Sequence, residues 1–95
     1  MELIPFDNRD GKIFYNGEFV EWRNAKVHIL NHGLHYASSI FEGVRMYNGK
    51  IFKNTIHNVR LHKSAEILDF KLPYSVEELD SLCIEVCKLN NLSEA

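Results

Sequence analysis

The chain has 95 residues, of which 45% are hydrophobic and 25% charged, so its composition predicts one small folded domain rather than a disordered chain. A formal net charge of −2 provides no overall basic field, and we therefore expect no nucleic-acid partner. The apolar runs are far shorter than a membrane span, and the N-terminus lacks a signal-like apolar core. These features predict a cytoplasmic protein with no membrane partner.

Two Asn-Gly pairs predict two β-hairpins, because both residues of such a pair tolerate positive φ. The first pair, Asn16-Gly17, lies in "KIFYNGEFVEW", and the second, Asn48-Gly49, lies in "GVRMYNGKIFK". The segment "KVHIL" is a third strand candidate. Strands that precede helices favour an α+β fold, which we predict as two layers with an antiparallel sheet and two helices packed on one face.

The segment "NHGLHYASSIFEG" connects the hairpins, with a turn or two of helix predicted in "LHYASS" and extended chain in "IFEGVRMY". In an extended "FEGVR", alternation places Phe41, Gly43 and Arg45 on one face and Glu42 and Val44 on the other. Two interpretations remain open. The segment is either a strand edge with a surface arginine, or a place where the glycine lets a ligand approach the backbone.

Two amphipathic helices are predicted in the second half of the chain. The first begins near Asn54 or Thr55, either of which can cap it, and ends before "KLPY". The second begins with a capping box formed by Ser75 and Glu78, and Asn91 is its candidate C-cap. Its apolar face contains Val76, Leu79, Leu82, Cys83, Val86, Cys87 and Leu89.

Arg60 is the unusual residue of the first helix. At 100° per residue it projects from the apolar side, near Ile56 and Ile67, while an opposite polar arc contains Asn58, His62, Glu66 and Asp69. A buried guanidinium requires a partner. Arg60 either pairs with a core carboxylate such as Glu42, extends to the helix edge, or binds a phosphate or carboxylate ligand.

Other site chemistries find little support in the sequence. The five histidines cannot be assembled by spacing into the three or four ligands that zinc requires, so we expect no metal site. No glycine-rich phosphate loop is present, and Ser38 and Ser39 lack the G-x-S-x-G setting of a nucleophile. Cys83 and Cys87 lie four residues apart on one helix face and are interpreted as small buried hydrophobic residues.

The stretch "NHGLHYASSIFEGVRMYNGK" resembles the N-terminal domain of branched-chain amino-acid aminotransferases, which are fold type IV enzymes that use pyridoxal 5′-phosphate (PLP). The resemblance covers most of the chain. It includes "FYNGEFVEWRNAKVHILNHGLHY", "FEGVR", "HNVRLHKSA" and "KLNNLSEA" in the family's order, and the combination of "LHY", "FEGVR" and "RLHKSA" is specific. Ala37 occupies a position where many relatives have glycine.

The resemblance implies roles for five residues. Arg60 matches the arginine that binds the cofactor phosphate. Tyr36 and Phe41 match aromatic residues of the substrate side-chain pocket, and Tyr36 is expected to serve the pocket of a neighbouring subunit. Gly43 and Arg45 match the strand beside the substrate, where Arg45 is expected to organise the pocket rather than to catalyse.

The resemblance also implies the function of a parent protein. That protein would move an amino group between leucine, isoleucine or valine and 2-oxoglutarate, in branched-chain amino-acid biosynthesis, and would form a homodimer or higher homo-oligomer. Residues 1–95 would be its small N-terminal domain, expected to be incomplete, and the C-terminal domain with the catalytic lysine would be absent from this chain. None of the seven lysines matches the family's Schiff-base lysine, so we expect the chain alone to be inactive. The alternatives are a non-catalytic truncated remnant or another type IV enzyme, such as a D-amino-acid aminotransferase or an aminodeoxychorismate lyase.

Overall fold

The computed structural model describes residues 3–36 and 39–95 of the chain. It contains two β-hairpins, each followed by helical segments, which confirms the predicted α+β class. α3 packs against both α2 and β1. In chain order the elements are β1 (Lys12–Tyr15), β2 (Glu18–Glu21), a 3-10 turn (Trp22–Asn24), α1 (His32–His35), β3 (Met46–Tyr47), β4 (Lys50–Ile51), α2 (Asn54–Ile67) and α3 (Val76–Leu89).

Both predicted hairpins are present. β1 pairs with β2, and β3 pairs with β4, each in antiparallel register. The φ angles are 49° at Asn16 and 87° at Gly17, and 50° at Asn48 and 79° at Gly49. Positive φ at both central residues is the requirement that asparagine and glycine meet in a two-residue hairpin turn, so the Asn-Gly prediction is confirmed with its mechanism.

The two hairpins do not join into the single sheet that was expected. Within the described residues they form separate two-stranded sheets, and "KVHIL" and residues 41–45 are not strands. An edge of the second hairpin is instead occupied by the C-terminal segment. Met46 and Ala95 exchange both backbone hydrogen bonds, at 2.7 and 3.1 Å, and Gly49 N–H donates to Ser93 O at 2.9 Å.

The connection between the hairpins contains the short helix α1. Asn31 precedes it, and its side-chain oxygen accepts from Gly33 N–H at 3.0 Å, as an N-cap does. The helical turn that was predicted in "LHYASS" therefore begins earlier, at His32, and ends at His35. The parts of that prediction that concern Ala37 and Ser38 lie outside the described residues.

α3 begins and ends as its sequence indicates. The Ser75 hydroxyl accepts from Glu78 N–H at 3.1 Å, and the Glu78 carboxylate accepts from Ser75 N–H at 3.2 Å, so the capping box is confirmed. The C-cap is Asn90, one residue before the predicted Asn91. Asn91 follows in the left-handed region at φ 53°, and the next amide, that of Leu92, donates to Cys87 O at 3.0 Å. This is the Schellman arrangement that satisfies the last carbonyls of a helix.

α2 begins at Asn54, but neither Asn54 nor Thr55 caps it, and that prediction was wrong. The N-cap is Lys53, which adopts φ 53° and makes no side-chain capping hydrogen bond. The side chains of Asn54 and Thr55 instead form hydrogen bonds from α2 to α3. Asn54 Nδ2 donates to Asp80 O at 3.2 Å, and Thr55 Oγ1 donates to Asp80 Oδ2 at 2.7 Å.

The packed face of α2 also differs from the predicted one. Asn58, which was placed on the polar arc, is 6% exposed and donates to Asp80 Oδ1 at 2.6 Å. Ala65, seven residues later, is also buried, while Ile56 and Ile67 are exposed. The helix packs through this face because the polar partner of Asn58 lies on α3, and a buried amide that is hydrogen-bonded avoids its desolvation cost.

Candidate functional site

The candidate site is an ion pair between Glu42, in the segment before β3, and Arg60, in the middle of α2. Arg60 Nε lies 3.0 Å from Glu42 Oε1 and 2.9 Å from Oε2, and Arg60 Nη2 lies 2.8 Å from Oε1. This is the side-on contact in which one edge of the guanidinium donates to both carboxylate oxygens. The pair therefore fixes the segment 41–45 to α2.

His57 adds a third group to this pair. It lies one helical turn before Arg60, and three-residue spacing places both side chains on the same side of α2. His57 Nδ1 lies 2.7 Å from Glu42 Oε1. Because a carboxylate can only accept, Nδ1 carries the proton in this contact and donates it to Glu42. Glu42 is thus bound on two sides, by an arginine and a histidine.

The charges at the site stabilise the ionised form of Glu42. Hydrogen bonds from Arg60, and then from His57, hold the pKa of the Glu42 carboxyl below its usual range. The same bonds raise the pKa of Arg60 above its already high ordinary value. The Glu42 side chain is 12% exposed, whereas that of Arg60 is 64% exposed. The carboxylate is therefore the inner member of the pair and the guanidinium is the outer one.

The exposure of Arg60 contradicts its predicted burial but not its predicted pairing with Glu42. Arg60 is not buried among apolar side chains, since its neighbours Ile56 and Ile67 are exposed as well. Its predicted pairing with Glu42 is confirmed. Arg60 also lines an open cavity of about 380 Å³, together with Thr55, Ile56, Val59 and Lys63. A ligand that reaches this cavity would meet an apolar wall and two positive charges.

Arg60 keeps hydrogen-bonding capacity on the side away from Glu42. A guanidinium has five N–H donors. Glu42 engages the single N–H of Nε and one of the two N–H groups of Nη2. Among the described residues, Nη1 has no hydrogen-bond partner. The Nη1–Nη2 edge is thus available to an oxyanion, and phosphates and carboxylates have the geometry that this edge matches.

Of the remaining predicted site residues, Phe41, Gly43 and Arg45 lie along the segment that Glu42 anchors, and Tyr36 lies before it. Phe41 is 86% exposed, and a Cβ added at Gly43 would lie 3.8 Å from its ring, so the two residues share a face as predicted. The Arg45 guanidinium lies 5.5 Å from the centre of the Tyr47 ring, at the start of the second hairpin. Tyr36 is exposed after α1, with its ring centroid 4.8 Å from that of His32. Phe41 and Gly43 flank Glu42 in the sequence, so of these four residues they lie nearest along the chain to the ion pair with Arg60.

His57 is the site residue that sequence reasoning missed. His57 lies three residues before Arg60 in the sequence. That three-residue spacing was the available signal. Its partner Glu42 lies fifteen residues earlier in the sequence, and no local pattern reports a contact of that range.

Other chemistry is limited in the part of the chain that the structure describes. Within residues 3–36 and 39–95, no three His, Cys, Asp or Glu side chains converge as metal ligands would. Cys83 and Cys87 are free thiols and half-buried, and burial raises the pKa of the Cys83 thiol. None of the helices in the same ranges is long and apolar enough to cross a bilayer.

Comparison with known proteins identifies relatives of the whole chain. The model of the family described as amino-transferase class IV matches residues 39–95. A probable branched-chain-amino-acid aminotransferase of Rickettsia felis is 44% identical over 95 residues, which is 100% of this chain and 33% of that protein. The branched-chain-amino-acid aminotransferase of Escherichia coli strain K12 is 44% identical over 87 residues, which is 87% of this chain and 28% of that protein.

Solved structures agree with these sequence relatives. The crystal structure of an Escherichia coli branched-chain amino acid aminotransferase matches with a TM-score of 0.86 and 42% identity, over 92% of this chain and 30% of that chain. That of a branched-chain aminotransferase from Thermoproteus uzoniensis with norvaline matches with a TM-score of 0.82 and 33% identity, over 90% of this chain and 30% of that chain. The chain spans about a third of the length of the relatives it matches, and it belongs to the class IV aminotransferase family.

Proposed function

We propose that this chain is part of a PLP-dependent aminotransferase that moves an amino group between branched-chain amino acids and 2-oxoglutarate. The family membership supports the transferase class, and the curated relatives, named as branched-chain-amino-acid aminotransferases, support the amino-acid substrates. The whole protein would be a cytoplasmic homodimer or higher homo-oligomer, with small amino acids and 2-oxo acids as its partners.

The observation that carries this proposal is the free edge of Arg60. A phosphate group requires N–H donors in a geometry that its oxygens can reach, and the Nη1–Nη2 edge has this geometry. Lys63 borders the cavity that Arg60 lines and adds a second positive charge. The negative charge of Glu42 therefore does not cancel the positive potential in that cavity. The donor set therefore fits one arm of a PLP phosphate site. When bound, PLP would supply the electron-accepting ring that amino-group transfer needs.

The residues of this chain would bind and orient the reactants. Arg60 would hold the phosphate and so fix the position of the ring. The exposed ring of Phe41 would bury the branched side chain of the substrate, with Tyr36 contributing to a pocket of the same kind. Gly43 leaves space for the substrate to approach the backbone, and Arg45 would organise the pocket wall. Packing of the Phe41 and Tyr36 rings against the substrate would exclude water from the reacting atoms.

The proposal also predicts which part of the reaction this chain cannot perform. From the family resemblance we infer that none of its seven lysines corresponds to the lysine to which PLP binds covalently in the family. We therefore propose that the isolated 95-residue chain is inactive. Purified chain that converts leucine and 2-oxoglutarate to products would contradict this.

The experiment is made on the longest natural polypeptide that contains this chain. It is incubated with leucine and 2-oxoglutarate, and glutamate formation is measured together with the absorbance of bound cofactor. We expect turnover, and a large loss of PLP affinity in Arg60→Ala with little change in melting temperature. A protein that binds PLP without transferring amino groups would support a different type IV chemistry. A protein that binds no PLP would indicate a non-catalytic remnant.

A further inference from the structure

We propose that Glu42 is a positioning residue for Arg60: it holds one edge of the guanidinium so that the opposite edge meets the phosphate, and His57 holds Glu42 in place. The inference rests on the proposed function, because it assigns a second layer of residues to the same phosphate site. Glu42 would not touch the phosphate, since like charges repel. It would act only through Arg60.

The geometry of the contact supports this role. Glu42 engages Nε and Nη2 at 2.8 to 3.0 Å, which is the side edge of the guanidinium. The end edge, which contains Nη1 and the second N–H of Nη2, is left for a ligand. A carboxylate that took the end edge would compete with phosphate. A carboxylate on the side edge instead fixes the plane of the guanidinium and the direction of its end edge.

Burial explains why Arg60 needs such a partner. The Arg60 side chain is 64% exposed, and an exposed arginine loses rotamer freedom when it binds a ligand. The Glu42 side chain is 12% exposed, and His57 lies 2.7 Å from its Oε1. Glu42 is thus a fixed point from which the exposed guanidinium is held. Ordering Arg60 before the ligand arrives reduces the entropy lost on binding.

The inference assigns unequal roles to the two supporting residues. Glu42 contacts the guanidinium directly through three N–O distances of 3.0 Å or less. His57 lies closest to the carboxylate, while its Nδ1 is 3.4 Å from Arg60 Nη2. Loss of Glu42 should therefore weaken phosphate binding more than loss of His57 does.

The test compares two ligands on the longest natural polypeptide that contains this chain. PLP and pyridoxal differ only in the phosphate. The dissociation constant of pyridoxal divided by that of PLP therefore measures the contribution of the phosphate contact. We expect Glu42→Gln to reduce this ratio about tenfold and His57→Gln to reduce it two- to threefold. Arg60→Ala should abolish most of it. Glu66→Gln, an exposed carboxylate on the same helix, is the matched control and should leave the ratio unchanged.

The outcomes separate this inference from the proposed function. A reduced ratio in Glu42→Gln, with pyridoxal affinity retained, supports the positioning role. An unchanged or increased ratio in Glu42→Gln, while Arg60→Ala still reduces it, overturns the positioning role and leaves the phosphate site standing. An unchanged ratio in Arg60→Ala overturns both. If Glu42→Gln fails to fold, His57→Gln tests the proposal instead. An unchanged ratio in His57→Gln would contradict the proposal that His57 acts on Arg60 through Glu42.

Discussion

Asn90, the C-cap of α3, uses its side chain as a substitute strand partner for Lys12 in β1. The Lys12 N–H donates to Asn90 Oδ1 at 2.8 Å, and Asn90 Nδ2 donates to Lys12 O at 2.9 Å. The same amide nitrogen lies 2.7 Å from Val86 O, inside the helix. One side chain therefore joins the last turn of α3 to the first hairpin, 78 residues away in sequence.

This clamp predicts that Asn90→Ala destabilises the fold, because it leaves the Lys12 N–H and C=O without their partner. Each lost hydrogen bond should cost about 0.5–1.5 kcal/mol in the free energy of unfolding. Urea denaturation followed by circular dichroism measures the change. Asn24→Ala, at an exposed position in the 3-10 turn, is the control and should be close to neutral. An Asn90→Ala variant as stable as the control would contradict the clamp.

Gly11 gives a second test of the same contact. Its φ is 139°, and an added Cβ would lie 2.5 Å from Asn90 Oδ1, so Gly11→Ala meets both backbone strain and a clash. We expect it to destabilise the fold. We also expect a smaller loss when Asn90 is already alanine, because the clash is then removed and only the strain remains. A double-mutant cycle measures this, and strictly additive losses would refute the contact.

The capping box of α3 predicts a local effect at Ser75. Ser75→Ala removes the oxygen that accepts from Glu78 N–H, and such a loss costs about 0.5–2 kcal/mol. Ser81→Ala is the matched control, because Ser81 is exposed in the interior of the same helix, where alanine is the better helix former. Thermal denaturation should show a lower melting temperature for Ser75→Ala only. Equal melting temperatures would mean that the box contributes nothing.

Features determined by short-range chemistry could be predicted from the sequence. Asn-Gly located both hairpins because few residue pairs tolerate two successive positive φ angles. Ser75 and Glu78 located the start of α3 because each satisfies an amide that the helix leaves free. These signals depend on two to four adjacent residues, so no tertiary information was required.

Features determined by distant partners could not. Asn58 was expected on a polar arc, yet it is buried because Asp80 lies opposite on α3. The Arg60 pairing was anticipated as one of three possibilities, and only the structure selected Glu42. The roles of Tyr36, Phe41, Gly43 and Arg45 stay predictions, since they concern a substrate. They came from the family resemblance, which carries information that periodicity does not.

The ion pair predicts how stability depends on pH. The Arg60 and His57 contacts lower the folded-state pKa of Glu42 below its ordinary value of 4.5. A lowered carboxyl pKa contributes stability that is present above the unfolded-state value and is lost as pH falls through the folded-state value. Wild type should therefore exceed Glu42→Gln in stability at pH 7, and the difference should shrink below about pH 4.5. Denaturation midpoints measured between pH 7 and pH 3 test this, and a constant difference would contradict it.

Phe41 predicts a change in substrate preference in the longest natural polypeptide that contains this chain. Its ring is 86% exposed here and is proposed to cover the branched substrate side chain. Phe41→Ala should lower kcat/KM for leucine more than for an acidic amino acid, with a differential effect of about 1–3 kcal/mol. Phe52→Ala, which removes another exposed ring outside the proposed pocket, is the control. Equal losses on both substrates would assign Phe41 to the fold alone.

The exposed side of α2 predicts that the isolated 95-residue chain self-associates. Ile67 is 82% exposed, and Ile56 and Val59 are exposed on the same helix, beside the cavity that Arg60 lines. Large apolar side chains exposed along one helix favour contact with a second copy, and a symmetric dimer is the commonest closed arrangement. Sedimentation velocity at several concentrations should show a species larger than a monomer. Ile67→Asp should shift it toward monomer, whereas Glu66→Ala, at the adjacent exposed position, should not.

Tyr36→Asp tests whether the loop after α1 also contributes to self-association, as the family resemblance suggests. A single monomeric species up to high micromolar concentration would refute the prediction.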